Sequence, residues 1–323
     1  MIAQEIFKIC SEKDFKKLCM NLFEIQTQQN PVYNKYCKTI LKNKQPNSIY
    51  EIPFLPIEFF KTNQIIIKNK KSEKTFISSG TSGTFSKHFI ADLEIYKNSF
   101  RRSFEKFYGD ITEYCILSLL PNYRKKRNSS LIYMVDDLIK NSQHPKSGFY
   151  LDNYEKLSTS LKKLENKGQK TILFGVSYAL IDLARQFPQK LKHTIIIETG
   201  GTKGIRKNII KEELHNILKN SFSLKKIHSE YGMTELLSQS YSNGDNIFQS
   251  PAWKRIIIRD VNDPLTIIGN NKTGGINVID LANIYSCPFI ATQDLGKTYE
   301  DGSFSLLGRF DNSDVRGCNL LIE

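Results

Sequence analysis

Disulfide staples, cysteine-based metal sites and membrane spans all find little support in this chain. Its 323 residues hold six cysteines, Cys10, Cys19, Cys37, Cys115, Cys287 and Cys318, with no CxxC pair among them. Five histidines (His88, His144, His193, His215 and His228) likewise lack metal-ligand spacing. No apolar run is long enough to span a bilayer, which excludes integral membrane association. The opening MIAQEIFKICSEKDF puts charges where a secretory leader needs an apolar core. Together these absences predict a cytoplasmic protein with reduced thiols, most of them apolar fillers. The chain also has no internal repeat, no low-complexity tract and no GxxxxGK[ST] phosphate loop, so it is not a P-loop nucleotidase.

What is present is ordinary globular composition, 40% hydrophobic and 24% charged, enough for one large domain or two medium ones. The formal charge of +13 raises nucleic acid as a partner. However, the lysines are scattered among asparagine and isoleucine, and no RNP, zinc-knuckle or helix-turn-helix pattern accompanies them. We therefore expect no nucleic-acid partner. A positive surface still favours anionic ligands such as nucleotides and carboxylates.

In SEKDFKKLCMNLFEI, Phe15, Leu18, Cys19, Leu22 and Phe23 recur at helical spacing behind Ser11 as a cap. The proline-rich IPFLPIEFF is expected to be irregular. Asp92 can cap a helix that carries Tyr96, Phe100, Phe104 and Phe107 on one face. From Ile116 onward, the strand-like ILSLLP, TILFG, TIIIETGG and KKIHSEYG alternate with helical patterns, which predicts parallel sheet flanked by helices. After about Asn243 the texture changes to short strands and turns. The expected fold is α/β, with an α/β region over 1–242, a smaller β-rich subdomain over 243–310 and a short tail over 311–323.

The stretch FISSGTSGTFSKH, between strand-like KTFI and HFIA, concentrates Ser78, Ser79, Thr81, Ser82 and Thr84 around Gly80 and Gly83. Glycines let backbone N–H groups turn toward an anion, hydroxyls add donors without bulk, and Lys87 adds charge. The plain alternative is a serine-rich hairpin tip. Gly200 and Gly201 follow a β-branched strand and would let a flat ring or a backbone approach, or simply make a turn. In YGMTE, Tyr231 can stack on a base, Gly232 follows it, Thr234 can donate to a phosphate and Glu235 can hold Mg²⁺. Asp294 in QDLG can accept from two ribose hydroxyls, and Arg309 in GRFD can reach hydroxyls or phosphate. The last two could equally be turn residues with a surface salt bridge.

SSGTSGTFSK, TGG, YGMTE, QDLG and GRFD, in this order, resemble the ordered motifs of adenylate-forming (acyl-AMP-making) enzymes. Within them, IPFLPIEFFK, SSLIYMVDDLI and RGCNLL resemble the acyl-protein synthetases of bacterial fatty-aldehyde systems. The resemblance covers nearly everything from Ile52 onward. It implies the large N-terminal domain of that superfamily, with ATP and Mg²⁺ as cofactors. The Ser78–Lys87 loop would wrap the β- and γ-phosphates. Gly200, Gly201 and Tyr231 would flank adenine, and Thr234 would contact the α-phosphate. Glu235 would hold Mg²⁺, Asp294 would bind ribose, and Arg309 would sit at the hinge and reach the ribose.

LFGVSYAL, residues 173–180, is the stretch expected to line an acyl pocket. The sequence ends at Glu323, so the small C-terminal domain whose lysine assists adenylation in most of the superfamily is expected to be absent. Lys87 and Lys297 are the candidates to replace that lysine. By resemblance, Cys318 accepts the acyl group as a thioester, and Arg309 and Arg316 nearby would favour the thiolate. The implied activity is ATP-dependent activation of a long-chain fatty acid, self-acylation at Cys318, and delivery to an acyl reductase, in a multi-enzyme assembly with reductase and transferase subunits. Two alternatives remain open. One is an acyl- or aryl-CoA (or carrier-protein) ligase lacking its small domain; the other is an inactive nucleotide-binding subunit.

Overall fold

The computed structural model describes residues 2–42, 44–78, 85–120, 128–151, 153–200 and 210–310. Helical apolar spacing builds its first part. After the single turn α1 (Ile2–Glu5), α2 (Glu12–Gln29) starts at Ser11, whose hydroxyl accepts from the Asp14 N–H at 3.1 Å. It buries Phe15, Leu18, Cys19, Leu22 and Phe23, the stripe that the sequence predicts. Asn30 caps α3 (Pro31–Leu41), with Pro31 in the first turn where its missing N–H costs nothing. The proline-rich stretch contributes β1 (Leu55–Pro56) and the short α4 (Phe59–Thr62). β2 (Lys74–Ile77) and β3 (Lys87–Ile90) then form an antiparallel hairpin, so the hydroxyl-rich loop does join strand to strand. Asp92 caps α5 (Leu93–Tyr108), which buries Tyr96, Phe100 and Phe104.

The alternating region supplies β4 (Cys115–Leu119), α6 (Ser130–Ser142), β5 (Gly148–Phe149), α7 (Tyr154–Asn166), β6 (Thr171–Val176), α8 (Ser177–Gln186), β7 (Thr194–Thr199), α9 (Lys211–Phe222) and β8 (His228–Tyr231). Strands β5, β4, β6, β7 and β8 lie side by side in parallel. Their residues alternate between two cores, as a period of two requires. Cys115, Leu117, Leu119, Leu173 and Ile196 face the leucines of α7, α8 and α9. Ile116, Ile172, Phe174 and Ile197 join the larger core that holds α5 and α6.

The remainder is antiparallel: β9 (Ser240–Ser242), β10 (Ile247–Gln249), β11 (Lys254–Arg259), β12 (Ile267–Ile268), β13 (Gly274–Asp280), β14 (Phe289–Thr298) and β15 (Phe304–Arg309). One 13-stranded sheet runs through both parts, in the order β12-β11-β13-β14-β15-β10-β9-β8-β7-β6-β4-β5, with β1 added beside β14. The expected boundary at 242/243 thus falls in the turn between two strands of the same sheet, β9 and β10. The N-terminal segment returns to the antiparallel part. Gln26 Nε2 donates to the Ile284 carbonyl at 2.7 Å and Asn30 Nδ2 to the Ser286 carbonyl at 2.7 Å. β1 pairs in parallel with β14, Leu55 opposite Ile290. Cys19, Cys37, Cys115 and Cys287 are buried and Cys10 is exposed, consistent with apolar packing for most thiols. No helix among the described residues is long and apolar enough to cross a membrane.

Candidate functional site

Ligands in open α/β sheets collect beyond the carboxyl ends of the parallel strands, and two of the singled-out segments leave the sheet there. β7 runs into Gly200, whose φ of +85° is one that side chains rarely adopt. β8 runs from His228 to Tyr231 and then into Gly232. At Gly232 an added Cβ would meet Glu230 Oε1, so the carboxylate sits in the space that the missing side chain leaves. β14 carries Asp294 opposite Arg309 of β15.

Tyr231, Asp294 and Arg309 form one contact chain. The Tyr231 hydroxyl donates to Asp294 Oδ2 at 2.8 Å, and Arg309 Nε lies 3.3 Å from Asp294 Oδ1. Burial and the neighbouring carboxylate push the Tyr231 phenol well above its ordinary value, which keeps it a donor. Its ring packs edge-on against Phe248 and Phe304, with Lys254 Nζ 5.0 Å from the ring centroid. Arg309 also donates to Gln293 Oε1 at 3.1 Å, and Gln293 Nε2 donates to Glu58 from the IPFLPIEFF segment. The segment read as irregular therefore touches the QDLG strand directly.

The loop after β8 is held through its main chain by side chains from other elements. The Asp280 carboxylate accepts from the N–H groups of Leu237 and Ser238, both at 2.9 Å. Lys254 Nζ donates to the Ser238 carbonyl at 2.9 Å, and Asn283 Nδ2 donates to the Glu235 carbonyl at 2.9 Å. His88 Nδ1 lies 2.8 Å from the Thr234 carbonyl. Lys254 and Asp280 are opposite each other in the β11–β13 register, which brings a buried cation and a buried anion together behind the loop. Burial lowers the Lys254 ammonium to about 8, with Asp280 and Glu230 acting against that shift. Burial likewise raises Asp280, and Lys254 and Ser238 oppose the rise.

Two further glutamates sit beneath the glycine loops. Burial raises Glu230 to about 7, opposed by the Thr199 hydroxyl that donates to it and by Lys254. Burial also works against ionised Glu198, yet His215, Lys211 and Ser229 outweigh it and hold that carboxyl at about 2. Lys211 Nζ is 3.2 Å from Glu198 Oε1, and the Ser177 hydroxyl donates to Oε2 at 3.2 Å. None of Glu198, Glu230, Lys254, Asp280 or Glu58 was singled out by sequence. A readable signal did exist for the first two: each is a carboxylate in a strand otherwise expected to be buried.

At the base of the hydroxyl loop, Ser78 N–H donates to the Ser86 carbonyl at 3.0 Å, and Ser86 N–H donates to Ser78 Oγ at 2.9 Å. Lys87 is exposed and pairs with Ile77 across the hairpin. Ser79, Gly80, Thr81, Ser82, Gly83, Thr84, Gly201 and Cys318 lie outside the described residues, as does the basic cluster 124–127. Thr234 is half-buried, and Glu235 is buried at 5% exposure. No group of three or more His, Cys, Asp or Glu side chains placed to hold a metal occurs among the described residues. Mg²⁺ is commonly held by one or two carboxylates together with substrate phosphates, so a single Glu235 fits that expectation. In the 173–180 stretch, a Cβ on Gly175 would meet Leu180 at 2.8 Å, and Val176 adjoins Gly200. His228, the first residue of β8, packs on Tyr108.

A sequence model of the LuxE acyl-protein synthetase family matches residues 7–323. The chain belongs to that family. Among solved structures, it is similar to ATP-bound MatB from Rhodopseudomonas palustris, with a TM-score of 0.56 and 16% identity over 73% of this chain and 47% of that one. It is similar to a 2-hydroxyisobutyryl-CoA ligase in complex with 2-HIB-AMP and CoA, with a TM-score of 0.65 and 11% identity over 93% and 71%. It also resembles a long-chain-fatty-acid-CoA ligase from Archaeoglobus fulgidus, with a TM-score of 0.51 and 13% identity over 73% and 51%. This acyl-protein synthetase family member thus shares the fold of part of each of these ligases, and it spans about half the length of MatB. No curated protein matches it by sequence.

Proposed function

We propose that this protein activates a long-chain fatty acid with Mg·ATP and then carries the acyl group on Cys318. A carboxylate oxygen forms a bond to the α-phosphorus as the bond to pyrophosphate breaks, giving acyl-AMP. The Cys318 thiolate then attacks the acyl carbon, and the carbon–oxygen bond to AMP breaks, leaving a thioester for an acyl reductase or a similar acceptor. In this reading the 78–87 loop holds the β- and γ-phosphates, with Lys87 at its end. Thr234 donates to the α-phosphate, and Glu235 carries Mg²⁺, which neutralises phosphate charge when bound. Gly200, Gly201, Tyr231 and Gly232 border adenine, while Asp294 and Arg309 address the ribose. A cytoplasmic setting suits both nucleotide supply and free thiols.

The supporting observation is convergence. Tyr231, Asp294 and Arg309, from separate motifs, meet through contacts of 2.8 and 3.3 Å, and the main chain around Thr234 is pinned by buried side chains. Groups fixed in place before the reaction need not reorganise as charge develops, which is what phosphoanhydride exchange demands.

The test is to incubate the protein with Mg·ATP and a tetradecanoate-like acid and weigh the intact chain, alongside Cys318→Ser. A hydroxylamine-labile acyl adduct on the wild type alone is the expected result. Acyl-AMP without an adduct moves the acceptor to CoA or a carrier protein. Absence of pyrophosphate exchange with every carboxylate leaves an inactive nucleotide-binding subunit.

A further inference from the structure

His88 is the first inward-facing residue after the hydroxyl-rich loop. It follows exposed Lys87 in β3, and its side chain is fully buried. Nδ1 lies 2.8 Å from the Thr234 carbonyl and Nε2 lies 2.8 Å from Ser286 Oγ. The Phe60 ring meets the imidazole edge-on at a centroid separation of 5.6 Å. A carbonyl only accepts, so Nδ1 carries the proton and donates. Nε2 is left as the acceptor, and the Ser286 hydroxyl donates to it. Burial also keeps the ring neutral, lowering His88 to about 4. Thus one tautomer is fixed by two partners from distant parts of the chain. Ser286 is in turn joined to α3's cap, because its carbonyl accepts from Asn30.

We propose that His88 is a positioning residue that fixes the expected phosphate hairpin against the YGMTE loop, by donating Nδ1–H to the Thr234 carbonyl. The inference rests on the adenylation reading, since it assigns to the two joined segments the phosphate contacts proposed above. A hydroxyl on Thr234 can meet a transferring phosphate only if its own main chain is held at a set distance from the hairpin. His88 is the described side chain that spans the two segments. Small displacements of groups that act together cost rate steeply.

Three variants separate this role from mere packing. His88→Asn places an amide N–H near the position of Nδ1, His88→Gln places one near Nε2, and His88→Ala removes both. Pyrophosphate exchange with Mg·ATP and a fatty acid gives kcat and KM for each. We expect Ala to lower kcat/KM by about 10²-fold, mostly in kcat, and Asn but not Gln to recover at least about tenfold of that loss. Because His88 stays neutral, the pH profile of Asn should keep the wild-type shape. Ala at wild-type activity, Asn no better than Gln, or a limb of the pH profile lost with His88 would each overturn the proposal.

Amide hydrogen exchange over residues 231–238 provides a readout that needs no nucleotide. Exchange about tenfold faster in Ala and restored in Asn supports the clamp; unchanged exchange in Ala overturns it. If the wild type gives no pyrophosphate exchange with any carboxylate, the adenylation reading fails by itself, and the hydrogen-exchange result still decides whether His88 holds the loop.

Discussion

The two halves of the sheet spend their polar residues differently. In the parallel half, β4, β6 and β7 are buried on both faces and mostly apolar, and the buried carboxylates lie one residue before a strand's end, Glu198 in β7 and Glu230 in β8. In the antiparallel half, charge lies within the sheet: Lys254 and Arg259 in β11, Asp280 at the end of β13, all buried. Arg259 illustrates the arrangement. Its guanidinium donates to the Ile276 carbonyl at 2.7 Å and to the Thr292 carbonyl at 2.6 Å, and glycine at 275 leaves it room. Loops that leave a parallel ladder carry main-chain groups with no strand partner, and burial makes such groups costly unless something else pairs them. Here the parallel half presents the loops after β7 and β8, and the antiparallel half, with His88 of the hairpin, supplies side chains that satisfy the loop after β8.

The sharpest way to break that division is at Asp280. Its carboxylate accepts two loop N–H groups and the Ser238 hydroxyl, and it faces Lys254. Asp280→Ala should cost about 3–5 kcal/mol in urea denaturation, because it orphans buried N–H groups and leaves a buried cation uncompensated. A loss under about 1 kcal/mol would mean that the antiparallel half does not support the loop.

Next in size is the contrast between the two glutamates under the glycine loops. Glu230 sits at about 7 in the native protein against an ordinary 4.5, so the native state binds more protons than the unfolded chain between those values. Stability linked to it is present below pH 4.5 and is lost as pH rises through 7. Glu230→Gln does not titrate, so the wild type should fall relative to the variant by about 3 kcal/mol from pH 4.5 to 8. Glu198, held at about 2, runs the other way: its contribution is present above pH 4.5 and disappears as pH falls toward 2. Denaturant midpoints across pH for Glu230→Gln and Glu198→Gln would show opposite slopes. Slopes of the same sign would end the distinction between the carboxylates.

Lys254→Met ranks third. It frees the Ser238 carbonyl and removes the charge that favours Glu230 ionisation, while Asp280 keeps its N–H and hydroxyl donors. A cost of about 1–3 kcal/mol is expected, smaller than that of Asp280→Ala. The reverse order would place the support of the loop on the cation.

How much of this could be read from sequence follows from which interactions are local. Ser11 and Asp92 cap their helices as expected, because a cap needs only the next three residues. The parallel strands announce themselves through unbroken apolar runs, and the hairpin around the hydroxyl loop through its flanking strand-like segments. The site motifs were visible as residue types at strand ends. Their support was not. Lys254 and Asp280 are partners only through strand register, Glu58 reaches Gln293 only because β1 joins β14, and His88 finds Thr234 across the fold. A two-residue strand that itself ends in proline gives no periodicity to read. Buried polar partners at long sequence separation are set by topology, which pattern reading does not reach.

The smallest expected effect tests the comparison from outside the core. Glu12 at the start of α2 receives a two-pronged bond from Arg255 of β11, each contact 2.6 Å, and the guanidinium lies 4.1 Å from the Phe15 ring centroid. Arg255 holds the Glu12 carboxyl below its usual range. The geometry is good, yet the Glu12 side chain is 51% exposed, so water screens the pair. A double-mutant cycle of Glu12→Ala and Arg255→Ala should give a coupling below about 1 kcal/mol that shrinks as salt is added. Arg255→Ala alone should cost more than the coupling, because its stem and guanidinium also cover Phe15. A coupling above about 2 kcal/mol would put a rim ion pair on a par with the buried lysine. Placement of charge inside the antiparallel half would then no longer distinguish it from the surface that joins it to the N-terminal helix.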